Sequence, residues 1–280
     1  VAIARPAGLV SLPSQYRTII LVMDVSGSMR AADVEPSRLA AAQAAAKTFV
    51  ADVPSDTRIG VVSFAGTAAV AQAPTANRDD VLTAIDRFQL QRGTAIGSGI
   101  IVALATIFPD AGIDERSLVQ RRGRDSRRAA PRDQGRAGGE QELKPVPPGS
   151  HASAAIILLT DGQRTTGPDA LDAAQLAADR GVRIFTVGIG TTGGQVLGFE
   201  GWSMRVRLDE GVLKEIANAT RGEYFYAGSA ADLKKVYRAL NARVVIEKKK
   251  TEITALVAAA GAVTAVLSVF LSLLWFNRVL

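Results

Sequence analysis

The sequence predicts an α/β protein with a doubly wound, mainly parallel sheet flanked by helices, plus one C-terminal transmembrane helix. Three observations carry that reading. Short apolar runs alternate with helical segments from Thr18 to about Ile246, the turns after those runs are rich in Gly, Ser and Asp, and residues 253–276 hold no charge. Strands alternating with helices imply parallel pairing with both sheet faces covered.

The elements follow in order. The apolar run at 18–23 reads as a buried strand ending in an acidic, Gly-containing turn. Ser37 caps a helix running to about residue 51, with Leu39, Ala42, Ala46, Phe49 and Val50 on its apolar face. A second strand occupies 58–64 and a short edge strand 68–73; helices are expected at 79–90 and 96–108. After an interruption the pattern resumes with a strand at 154–159, a helix at 170–179 and a strand at 182–187. Residues 195–207 suggest a small hairpin containing Trp202. A helix at 210–219, a strand at 223–226 and a helix at 230–242 complete the alternation.

The domain organisation is therefore an N-terminal segment at 1–17, a folded domain at 18–246, a basic collar at 247–252, a membrane helix at 253–276 and a tail at 277–280. Residues 111–150 break the pattern with Arg, Gly, Pro, Asp and Gln and read as an exposed, disordered basic insertion. As a helix, 253–276 would reach about 36 Å, enough to cross a bilayer. Trp275 and Phe276 close it at interfacial depth. Arg238, Arg243 and Lys248 to Lys250 precede it and only Arg278 follows, so the positive-inside rule places the large domain in the cytoplasm. The start V-A-I-A-R-P-A contains no signal peptide and reads as the remnant after a missing membrane helix.

Composition narrows the chemistry. The 280 residues are 48% hydrophobic and 21% charged, enough apolar mass for a core. Cysteine is absent, which excludes disulfides, thiolate catalysis and Cys-ligated metals. The single histidine, His151, leaves no material for a His-rich metal site or a Ser-His-Asp triad, and its Pro/Gly-rich setting reads as a solvated bystander. The net charge of +6 is concentrated in 111–150 and 238–252, not spread over the folded domain, which argues against nucleic acid as a partner.

Three loops at strand C-terminal ends carry the candidate chemistry. They are Asp24-Val25-Ser26-Gly27-Ser28, Gly93-Thr94-Ala95-Ile96-Gly97 and Thr160-Asp161-Gly162. In an open α/β sheet ligands bind at that edge. The donors are hard oxygens, suited to Mg²⁺ and also to Mn²⁺ or Ca²⁺. Only two are charged, so a divalent ion would stay electrophilic and could accept an outside carboxylate. Gly188-Ile189-Gly190-Thr191-Thr192-Gly193 spells a dinucleotide fingerprint, but no helix follows it. Asp33 and Glu35 read as surface charges that tune partner choice, and Trp202 as a minor contact candidate.

D-x-S-G-S, the Thr of G-T-x-x-G and T-D-G after a buried strand together resemble the metal-ion-dependent adhesion site of von Willebrand factor A domains. The resemblance covers 18–246 apart from the insertion, and implies Asp24, Ser26, Ser28, Thr94 and Asp161 as the metal set. V-S-G-S-M-R-A-A-D-V-E-P-S-R-L at 25–39, the strand I-G-V-V-S-F-A-G and the closing membrane helix resemble bacterial membrane-anchored A-domain proteins of the Bat/aerotolerance type. That group is associated with MoxR-type AAA+ ATPases and usually carries membrane helices before the domain. Ser98 departs from it, standing where many relatives have Asp. The resemblance implies a protein-interaction module of the bacterial inner membrane, with no catalytic residues and no organic cofactor. Its expected partners are a protein carboxylate, a MoxR-type ATPase, other membrane A-domain proteins and the bilayer. Two alternatives remain open: a metal-dependent phosphoester hydrolase using Asp24 and Asp161, or a subunit of a transport-related membrane complex. The phosphatase signature needs an Asp at position 26, where this chain has Ser.

Overall fold

The computed structural model describes residues 7–13, 18–114, 145–199, 202–252 and 263–271. Along the chain lie β1 (Ala7–Pro13), β2 (Thr18–Asp24), α1 (Arg38–Asp52), β3 (Arg58–Phe64), β4 (Ala68–Thr75), α2 (Arg78–Asp86) and α3 (Ile96–Ile107). Then come β5 (Ala154–Thr160), α4 (Ala170–Asp179), β6 (Arg183–Ile189), β7 (Gln195–Phe199), β8 (Trp202–Val206), α5 (Glu210–Ala219), β9 (Tyr224–Ala227), α6 (Ala230–Val245) and β10 (Ile246–Glu252). Two compact units result, one of residues 15–245 and one of residues 1–14 with 246–280.

The larger unit is built on a six-stranded sheet of order β4-β3-β2-β5-β6-β9. Every pairing in it is parallel except that of the edge strand β4, which runs antiparallel to β3. All seven residues of β2 and all seven of β5 are buried, as strands covered on both faces must be. Alternation along β2 divides the core in two. Ile19, Leu21 and Met23 join α1, α2 and α6 on one face, while Ile20 and Val22 join α3, α4 and α5 on the other. Phe49 of α1 anchors the first layer and meets Tyr237 of α6 with ring centroids 5.3 Å apart. Ser37 caps α1 by accepting the Ala40 N–H at 3.2 Å.

Helix α2 ends at Asp86, short of the expected 79–90, because the chain must then run extended beside the β2 loop. There the Gln91 N–H donates to the Val25 carbonyl, while Phe88 and Leu90 still pack on the core. His151 is not a solvated bystander. It is half-buried, meets Phe108 edge-on at 5.1 Å, and burial lowers its pKa. The cause is the return of the chain onto the domain: the His151 N–H donates to the Gly181 carbonyl and the Val146 N–H to that of Asp179. Most of the expected insertion, 115–144, lies outside the described residues.

In the smaller unit, β1 and β10 form an antiparallel ladder running from the Ala7–Glu252 pair to the Pro13–Ile246 pair. The expected N-terminal remnant and basic collar thus contain paired strands, which no local signal announced. Of the expected membrane segment, 263–271 is helical with exposed apolar side chains, and the rest lies outside the described residues. Among the described residues no helix is long and apolar enough to cross a membrane.

Phe49→Ala is expected to cost about 3–5 kcal/mol of stability in urea denaturation. A loss under about 1 kcal/mol would contradict its place as the anchor of that layer.

Candidate functional site

Parallel neighbours bring their C-terminal ends together, so β2 and β5 place Asp24 and Asp161 side by side although the two are far apart in sequence. β3 lies on one side of this pair of strands and β6 on the other. The loops therefore diverge here, at the place where such folds take ligands. Both carboxylates are 0% exposed, with Ser26 at 1%, Ser28 at 7% and Thr94 at 4%.

The first loop folds back on its own aspartate. The Ser26 N–H donates to Asp24 Oδ1 at 2.8 Å, and the Ser26 and Ser28 hydroxyls share a hydrogen bond of 3.0 Å. The second loop is stitched to its neighbours through its backbone. Gly66 N–H donates to the Arg92 carbonyl and Ala95 N–H to that of Ala65. Gly93 makes this approach possible: its φ is +81°, and a Cβ there would lie 2.9 Å from the Gly66 Cα. Thr94 is held from the other side, its N–H donating to Thr165 Oγ1 at 2.8 Å and its carbonyl accepting from the Thr165 and Thr166 N–H groups. In the third loop Thr160 Oγ1 donates to Asp24 Oδ2 at 2.6 Å, and the Gln163 N–H donates to Asp161 Oδ1 at 3.1 Å.

All five predicted residues thus stand on three interlocked loops. Asp24, Ser26 and Ser28 are directly linked, and Thr94 is tied in through 165–166. Burial, and after it the Asp161 charge, push the Asp24 carboxyl above the usual carboxylate range against hydrogen bonds from Ser26 and Thr160. Burial raises Asp161 likewise, against hydrogen bonds from Ser28 and Gln163 and the charge of Arg38. Two crowded carboxylates with hydroxyls between them fit a hard divalent cation, whose charge would relieve exactly that strain. Among the described residues no group of three or more His, Cys, Asp or Glu is arranged to hold a metal.

Several participants were not foreseen. Arg38, 0% exposed, donates from one terminal nitrogen to Asp161 Oδ2 at 3.0 Å. Its Nε and other terminal nitrogen bond both oxygens of Asp33 at 2.7 Å. Asp33 is therefore not a free surface charge. Burial works against its ionised form, but hydrogen bonds from Arg38 and Thr191 outweigh that and hold it at about 2. One signal was available: a cation in the first turn of a helix runs against the helix dipole and needs a local reason. Ser98 is buried in the first turn of α3. Trp202 opens β8, and its side chain lies outside the described part. The Gly-rich 190–194 loop leads into β7 and not into a helix.

Two family models described as von Willebrand factor type A domain match residues 19–164 and 138–239. A UPF0353 protein of Mycobacterium sp. (strain KMS) is 36% identical over 284 residues, covering 99% of this chain and 75% of that one. BatB from Bacteroides thetaiotaomicron is similar with a TM-score of 0.58 at 25% identity, over 80% of this chain and 96% of that one. An aerotolerance-related membrane protein from Bacteroides fragilis shares the fold with a TM-score of 0.60 at 23% identity, over 81% and 98%. So does proximal thread matrix protein 1 of the mussel byssus, described with a zinc-occupied MIDAS motif, with a TM-score of 0.50 at 18% identity over 83% and 48%. The mixed sheet order, the three loops and these matches agree: the chain belongs to the von Willebrand factor type A domain family.

Proposed function

We propose that the protein is a membrane-anchored, divalent-cation-dependent protein-interaction module without enzymatic activity of its own. Asp24, Ser26, Ser28, Thr94 and Asp161 would hold Mg²⁺, or Mn²⁺ or Ca²⁺, at the C-terminal ends of β2 and β5. The observation that carries this reading is the convergence of two fully buried carboxylates and three buried hydroxyls on interlocked loops. When bound, the ion supplies a hard electrophilic centre that can take an oxygen from outside the chain, because only two of the five protein donors are charged.

The rest is the work of the chain's own groups. Ser26 N–H and Thr160 Oγ1 orient the two oxygens of Asp24, and Gln163 N–H orients Oδ1 of Asp161. The glycine contact between 66 and 93 keeps Thr94 in register with both. Ser26 stands where the phosphatase signature has a second Asp, which favours docking of a partner carboxylate over phosphoester hydrolysis.

The similar fold of the aerotolerance-related membrane protein supports a membrane setting. On this reading the partner is a MoxR-type AAA+ ATPase or another membrane A-domain protein. The 253–276 segment anchors the chain in the bacterial inner membrane, with the large unit on the cytoplasmic side.

Calorimetric titration of Mn²⁺ and Mg²⁺ into the detergent-solubilised chain should show binding. Asp24→Asn should weaken it at least about a hundredfold, more than loss of an outer-shell partner does, while the fold remains by circular dichroism. Retained affinity in that folded variant would remove Asp24 from the site. Capture of a purified MoxR-type ATPase by the membrane-embedded protein should be lost in EDTA and restored by Mg²⁺. Capture that ignores EDTA would overturn metal-dependent docking.

A further inference from the structure

The metal reading leaves one buried group without a role. Arg38 stands at the first position of α1 with its side chain 0% exposed, between two aspartates. Its two bonds of 2.7 Å to Asp33 form a planar fork, and the remaining terminal nitrogen reaches Asp161 at 3.0 Å. Asp33 is pinned in turn, since its Oδ2 also accepts the N–H and the hydroxyl of Thr191, each at 2.9 Å. Gly190, with φ +125°, lays the β6–β7 loop against the guanidinium. A Cβ there would lie 2.6 Å from the Arg38 Cζ.

We infer that Arg38 is a positioning residue of the site: clamped by Asp33 and covered by the 190–191 loop, it fixes the Asp161 carboxylate in the orientation needed by a divalent ion. The inference rests on the metal reading above and deepens it. With Arg38 on Oδ2 and the Gln163 N–H on Oδ1, both oxygens of Asp161 are tied and the carboxylate cannot rotate. Charge balance alone does not account for the arrangement. The Asp33–Arg38 pair is neutral as a whole, and a lone cation beside a metal ligand would repel a divalent ion. What the pair adds is geometry. A planar fork can bond one carboxylate with two edges and a second with the third, which a single ammonium cannot do.

The two roles predict opposite results. If Arg38 acts only as a charge, Arg38→Lys binds Mn²⁺ as the parent does and Arg38→Gln binds it more tightly. If it positions Asp161, both variants bind more weakly, by about 10- to 100-fold as for other outer-shell partners. Lysine then gives no rescue. Asp33→Asn, which keeps Arg38 but weakens the clamp, should move affinity in the same direction. The experiment is calorimetric titration of Mn²⁺ into the full chain and the three variants in detergent, with the electron paramagnetic resonance spectrum of the bound ion and circular dichroism for folding. Weaker binding and an altered Mn²⁺ spectrum in the folded variants support the inference. Parent-like affinity in folded Arg38→Lys, or tighter binding in folded Arg38→Gln, overturns it. Should both Arg38 variants fail to fold, parent-like affinity in Asp33→Asn overturns it. If the parent itself binds no Mn²⁺, the metal reading falls and this inference with it. That outcome is distinct from a parent that binds and variants that match it.

Discussion

Two negative charges buried side by side at neighbouring strand ends are the constraint around which this molecule is arranged. Taken out of water, Asp24 and Asp161 each lose hydration, and the charge of Asp161 raises the cost of ionising Asp24. The structure answers with donors. Ser26 and Gln163 contribute backbone N–H groups, Thr160 a hydroxyl and Arg38 a buried guanidinium. Each of these stands in a loop or at the end of an element whose path is set by the sheet, so the position of the carboxylates and the packing beneath them are one problem.

The sheet solves it through connection order. α1 carries the chain from β2 to β3 on one side, packed in the layer with Ile19 and Leu21. α4 carries it from β5 to β6 on the other side, in the layer with Ile20 and Val22. The two crossovers leave the central pair in opposite directions. A buried hydrophobic arrangement thereby sets where the polar loops meet.

How much of this the residues announced depended on the distance over which each signal acts. The buried strands and the D-x-S-G-S loop are local patterns, so Asp24, Ser26 and Ser28 were readable within five positions. Thr94 and Asp161 were readable because each follows its own strand or turn signal. Arg38 was not, because its partner Asp161 is 123 residues away and nothing near Pro36-Ser37-Arg38 marks it except an unfavourable place on a helix dipole. Asp33 failed for the same reason: without Arg38 it looks like any loop carboxylate. The premature end of α2 was hidden because residues 87–90 retain apolar side chains that serve the core equally well out of helix. The pairing of Ala7–Pro13 with Ile246–Glu252 joins the most distant described strands and carries no turn signal of its own.

That terminal ladder has a mechanical meaning. It is antiparallel, with Ala7 opposite Glu252 at one end and Pro13 opposite Ile246 at the other, so the chain enters and leaves the ladder on the same side. Everything between, from residue 14 to residue 245, is a loop closed by this clasp. Tension applied by pulling the two outer ends apart acts on one pair of backbone hydrogen bonds at a time, in the manner of a zipper and not of a sheared sheet.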